Sequence, residues 1–186
     1  MTEVWMGDPP VEPYPFADTA DVRSGPDLHP ALLGLLPFLG EWRGRGQGGY
    51  PTIESDFHYA QEIRLSHDGR PFLKYEARAW LIEEDGTPRR PGARETGFWR
   101  PVPDSDDVEM LLAHPTGFLE LYLGRLDGLR LELATDAVVR TSTAKEVTAG
   151  KRLYGIVEGA LLYAYDMAGV GQGLLPHLSA RLERLV

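Results

Sequence analysis

Beyond Gly40 the chain runs in short segments in which apolar and polar residues alternate. Turn residues break them at roughly 8–12-residue intervals, the rhythm of an antiparallel sheet. Phe57, Tyr59, Ile63 and Leu65 alternate with polar neighbours and lead into the hairpin signal His67-Asp68-Gly69. Leu73, Tyr75, Ala77, Ala79 and Leu81 then share one face, opposite Lys74, Glu76 and Arg78, before Glu84-Asp85-Gly86 turns again. Strand patterns follow over 96–101, 108–114, 118–125, 129–135, 137–143, 147–157 and 160–167, with Asp127-Gly128 as another strong hairpin signal. The last segment fits two periods. Leu175, Leu178, Leu182 and Leu185 suit a helix, whereas Leu178, Ala180 and Leu182 suit a strand. A closing strand is the better reading, because an up-and-down barrel must pair its last strand with its first. The expectation is an all-β, antiparallel up-and-down barrel.

Two segments precede the strands. Residues 1–27 hold Pro9, Pro10, Pro13, Pro15 and Pro26 with scattered acids and no sustained period, which reads as a flexible arm rather than a partner-binding tail. Residues 28–39 suit a short helix, with Asp27 as cap and Pro30 tolerated in the first turn. Its leucines would plug one end of a barrel spanning 28–186. A membrane-surface helix is the weaker alternative, since no basic face accompanies those leucines.

Composition narrows the chemistry. The chain has 186 residues and no cysteine, so disulfides, thiolate metal sites and cysteine nucleophiles are excluded. Its net charge of −9 and the lack of a Lys/Arg cluster argue against nucleic-acid binding. No apolar run approaches the ~20 residues that span a bilayer. The first residues lack the features of a signal peptide, so a cytoplasmic protein acting without a membrane is expected. Nucleophile-elbow, phosphate-loop and His-Glu-x-x-His patterns are absent, and any catalysis would come from a bound cofactor. The carboxylates, on alternating strand positions, read as the wet face of the sheet.

Residues 39–52 carry five glycines and Trp42 in a strand-like alternation. Glycine weakens a strand unless a tight bend or close backbone approach requires it, so Gly40, Gly44 and Gly46 point to a sharply curled sheet around an enclosed space. Five histidines are available. His29 and His67, at a helix start and in a hairpin turn, are expected in solvent, and His58 is expected to face outward. His114 ends a strand where it could line a barrel mouth. His177 lies in a leucine-rich final strand. Any one of them is more often structural than a ligand, although a neutral imidazole in an apolar pocket is what haem iron needs.

Gly40-x-Trp42-x-Gly44-x-Gly46, with Tyr50-Pro51-Thr52 close behind, resembles the signature of the nitrobindin family. These are small haem-binding barrels similar to lipocalins and fatty-acid-binding proteins. Glu62-Ile63, the run 66–71, the run 95–100, Ala144-Lys145-Glu146-Val147 and Pro176-His177-Leu178 extend the similarity over roughly 28–186. The resemblance implies one ferric haem b per chain with His177 as axial and catalytic ligand. It implies Thr52 and Lys151 as haem contacts, nitric oxide as a ligand and isomerisation of peroxynitrite to nitrate. A homodimer is left open. Some relatives carry two adjacent histidines at the terminal site, where this chain has Pro176 before His177. A non-catalytic carrier of a small apolar ligand is the alternative, favoured if a buried Arg-x-Tyr pair holds a ligand carboxylate. A barrel filled by its own side chains is the third reading.

Overall fold

A computed structural model describes residues 12–186. A single 3₁₀ helix (Pro30–Phe38) is followed by ten strands: β1 (Gly40–Gly48), β2 (Phe57–Ser66), β3 (Leu73–Ile82), β4 (Pro88–Pro101), β5 (Asp107–His114), β6 (Phe118–Asp127), β7 (Arg130–Arg140), β8 (Val147–Val157), β9 (Ala160–Gly169) and β10 (Gln172–Arg184). Each strand pairs antiparallel with its neighbours in sequence, and β10 returns to β1 to close the barrel. The expected all-β architecture is present, with the terminal segment as the closing strand.

Closure depends on the glycine strand. A Cβ at Gly44 would overlap the Arg181 carbonyl oxygen, and one at Gly46 would meet the Ser179 carbonyl and the Tyr59 ring. Only glycine lets β1 and β10 approach this closely at the seam.

The helix seals one end. Leu32, Leu35 and Phe38 recur every third residue, the period of a 3₁₀ helix, so all three face the interior and are buried. The cap is His29, whose Nδ1 accepts from the Ala31 N–H at 3.2 Å, and not Asp27 as expected. Pro30 follows at the first helical position. Trp42 is fully buried beneath the plug and donates to the Phe38 carbonyl at 2.8 Å. Arg184, near the end of β10, stacks over the Trp42 ring at 4.0 Å and donates to the Leu39 and Pro37 carbonyls. These bonds satisfy carbonyls that the helix leaves unpaired.

Three further expectations need correction. β4 begins at Pro88 rather than residue 96, because the early, arginine-rich part pairs with β3 while both its faces stay exposed and hide the period. Segments 129–135 and 137–143 form one strand, β7, interrupted by a bulge at Asp136 opposite Leu121/Tyr122. His67 is buried, because Thr19 pairs with it through two backbone hydrogen bonds of 2.8 and 2.9 Å and covers the turn. Asp18, beside Thr19, pairs with Lys74 at 3.1 Å.

Candidate haem-ligand site

The barrel end opposite the helix carries the turns after β1, β3, β5, β7 and β9. His177 lies at this mouth as the extra residue of a bulge in β10: Pro176 pairs with Asp166 and Leu178 with Tyr165, leaving His177 unpaired. A bulge re-aims one side chain out of the sheet's alternation. The bulged residue is tied to the turn after β1 twice. Its carbonyl accepts from the Gly49 N–H at 3.0 Å, and its Nδ1 donates to the Gly49 carbonyl at 3.0 Å.

A carbonyl can only accept, so this bond places the proton on Nδ1 and leaves the Nε2 lone pair available. Three rings hold the imidazole edge-on or tilted, with centroids at 5.3 Å for Tyr50, 5.9 Å for Tyr165 and 6.5 Å for Phe57. Tyr50 is itself anchored by its hydroxyl to the Met167 and Gly169 carbonyls. Burial lowers the pKa of His177 below its ordinary value. The Gly49 hydrogen bond opposes this, and Lys145 and Arg152 reinforce it. The result is a neutral, oriented imidazole with a free ring nitrogen in aromatic surroundings, which fits the proximal ligand of a haem iron. Ile53, in the turn after β1, and Leu174, near the start of β10, expose apolar side chains.

Of the other residues singled out from the sequence, Thr52 lies exposed in the connection between β1 and β2 that also holds Gly49. Lys151 is exposed on the outer face of β8, alternating with the buried Arg152 and paired with Asp166 of β9. Concavities of about 810, 700 and 800 Å³ lie along the outer strands and the β2–β5 wall, and His177 borders none of them.

Below the mouth the interior is polar, against the reading of the carboxylates as a wet face. Arg152 is buried and forms a two-pronged pair with Glu95 at 2.7 and 3.0 Å, with Glu120 at 3.4 Å. It also donates to the hydroxyls of Tyr122 (3.0 Å) and Tyr163 (3.1 Å). Tyr75 donates to Glu95 at 3.0 Å and Tyr122 to Glu120 at 2.8 Å. His114 lies at the mouth as expected, stacked on Phe118 at 3.9 Å, with Nε2 donating to Glu120 at 2.8 Å.

Burial would raise both carboxyl pKa values, but Arg152 for Glu95, and His114 with Arg152 for Glu120, hold them below the ordinary range. In sequence Glu120 is flanked by Leu119 and Leu121, so its strand reads with inverted phase. The signal was the aromatic pair Phe118 and Tyr122, which share Glu120's face. Arg152-x-Tyr154 is a buried Arg-x-Tyr pair of the kind a carrier would use. Its arginine is taken by the protein's own Glu95 and Glu120, which removes support from the carrier reading.

Over residues 31–184 the chain matches the THAP4-like, haem-binding β-barrel domain family. It is 65% identical over 185 residues to the peroxynitrite isomerase of Salinispora arenicola, spanning 97% of this chain and 94% of that protein. The peroxynitrite isomerase of Streptomyces griseus is 49% identical over 94% of this chain and 95% of its own length. The ferric nitrobindin-like protein of Saccharopolyspora erythraea is 47% identical, over 91% and 80%. The crystal structure of Rv2717c from M. tuberculosis superposes with a TM-score of 0.76 at 41% identity, covering 86% of this chain and 100% of that one. Among the described residues, no helix is long and apolar enough to cross a membrane.

Proposed function

Because the chain belongs to the THAP4-like family of haem-binding β-barrel domains, we propose that it binds one ferric haem b through Nε2 of His177, binds nitric oxide and isomerises peroxynitrite to nitrate in the cytoplasm. The observation that carries this reading is the bulged, Gly49-tethered imidazole. The names of its relatives support the reaction. When bound, a ferric haem held by one imidazole supplies a Lewis-acidic iron with an open position for a peroxide oxygen.

The chain's own residues do the rest. Gly49 fixes the tautomer and direction of His177. Burial keeps the ring unprotonated. Tyr50, Phe57 and Tyr165 pack around the ring and restrict its rotation. Thr52 is assigned a haem contact from the family resemblance, and its exposed place in the β1–β2 connection beside Gly49 agrees with that. Lys151 carries the same assignment from the family resemblance alone, without support from its outward placement.

The test is a hemin titration of the parent and His177→Ala. The parent should gain a sharp Soret band and convert peroxynitrite to nitrate, and the variant should lose both. Equal spectra and affinity in the two proteins would overturn the ligand assignment.

A further inference from the structure

The tyrosines around Arg152 are not equivalent. Tyr122, Tyr154 and Tyr163 accept hydrogen bonds from its guanidinium, and Tyr75 donates to its partner Glu95. Each of those hydroxyls satisfies a buried charge. Tyr165 is different. Its ring lies under the guanidinium at 4.4 Å, a contact that phenylalanine would make equally well. Its hydroxyl makes no bond to Arg152 and lies instead 3.5 Å from Glu120 Oε1, the atom that also accepts from Tyr122 at 2.8 Å. Ring packing on the guanidinium does not account for this hydroxyl, whose partner is Glu120 Oε1.

Its position supplies an explanation. Tyr165 and Tyr50 are the two phenols beside the His177 ring. A buried phenol gives up an electron readily only when its proton leaves too, because a low-dielectric interior penalises the cation that would otherwise remain. Tyr50 donates to two backbone carbonyls, which are not bases strong enough to take that proton. Tyr165 faces a carboxylate, which is one.

We propose that Tyr165, with Glu120 as proton acceptor and Tyr122 as a second phenol on the same carboxylate, is a one-electron donor site that reduces nitrogen dioxide to nitrite. The site rests on the isomerase reading for its oxidant, since nitrogen dioxide is the radical that escapes when the peroxynitrite O–O bond breaks without recombination. In the step, one electron passes from the phenol to nitrogen dioxide, the phenolic O–H bond breaks and the proton goes to Glu120. The products are nitrite, a neutral phenoxyl and a neutral Glu120 carboxyl, with one negative charge on each side. Hydrogen-atom exchange with Tyr122 through Glu120 then carries the radical away from the mouth. The ionised state of Glu120, maintained by His114 and Arg152 against burial, keeps the acceptor ready.

The experiment delivers radiolytic nitrogen dioxide to the hemin-loaded protein and reads freeze-quenched electron paramagnetic resonance. The parent and Tyr50→Phe should show a neutral tyrosyl signal, which Tyr165→Phe and Glu120→Gln should lose. Mass spectrometry of nitrated peptides in the parent locates the radical independently of any variant. Nitration concentrated on Tyr14, whose side chain is 69% exposed, or a full signal in Tyr165→Phe, would overturn the proposal. Nitrate yield from peroxynitrite is measured separately. A protein that forms nitrate without a Tyr165 radical refutes the donor site, and one that forms the radical without nitrate refutes the isomerase reading.

Discussion

Replacing Arg152 with methionine tests whether the barrel interior is held by charge. In the parent, Arg152 is the buried guanidinium between Glu95 and Glu120, with its side chain fully shielded from solvent and that of Glu120 equally so. The variant keeps the side-chain length but leaves two buried carboxylates with only His114 and the tyrosine hydroxyls as donors. Breaking a buried ion pair from one side costs about 3–5 kcal/mol, because the partner charge stays behind uncompensated. That is a large share of the roughly 5–15 kcal/mol by which domains are stable. At about 2–4 °C per kcal/mol for a chain of this size, the melting temperature should fall by about 6–20 °C.

The pH dependence carries the sign. The parent's carboxyls sit below their unfolded pKa, so they contribute stability above the unfolded value, and this is lost as pH falls through the folded value. Without Arg152, burial dominates and raises them, so folding then favours the protonated form and the variant's deficit narrows as pH falls from 7 toward 5. Urea unfolding at several pH values, on protein without hemin, measures both effects. A loss under about 1 kcal/mol that does not change with pH would be that of a weak, exposed pair, and would refute the picture of a dry charged core.

Other consequences are as direct. Because burial places the His177 pKa below its ordinary 6.5, the midpoint of acid haem release, followed by the Soret band, should lie below pH 6.5; a midpoint above it would contradict a shielded ligand. Gly44→Ala drives a methyl into the Arg181 carbonyl at the closing seam, and overpacking of that kind costs about 1–3 kcal/mol by denaturant titration. Trp42→Phe leaves the Phe38 carbonyl without its donor, which should cost about 1–3 kcal/mol and loosen the plug, seen as faster hydrogen exchange in Pro30–Phe38.

Much of this molecule is written in local pattern. The period-two alternation and the Asp-Gly and Glu-Asp-Gly turns predict strands, and a barrel follows from glycines on alternate positions of one strand. β8 has the bounds read from the sequence, with buried and exposed residues alternating from Gly150 to Tyr154 beyond a register shift between Val147 and Ala149. The pattern misleads where a strand's two faces are alike. Pro88–Glu95 is exposed on both sides or nearly so, and β6 carries leucines outward and Glu120 inward. The thirteen-residue β10 could also be read as a helix until its pairing with β1 decided the matter.

By itself, then, the sequence determined the sheet and its closure, because these rest on residue type and spacing along the chain, and it singled out His177 among five histidines only through a family resemblance. The tertiary structure decided which way that histidine faces and what lies beneath it. The bulge at His177 appears only once Pro176 and Leu178 are registered against β9, and the tautomer only once Gly49, 128 residues away, is beside it. Glu95, Glu120 and Arg152 sit on β4, β6 and β8, where each looks like one more surface charge. Their opposite signs could cancel only inside a closed barrel, and no local pattern records which side of a strand the barrel will enclose.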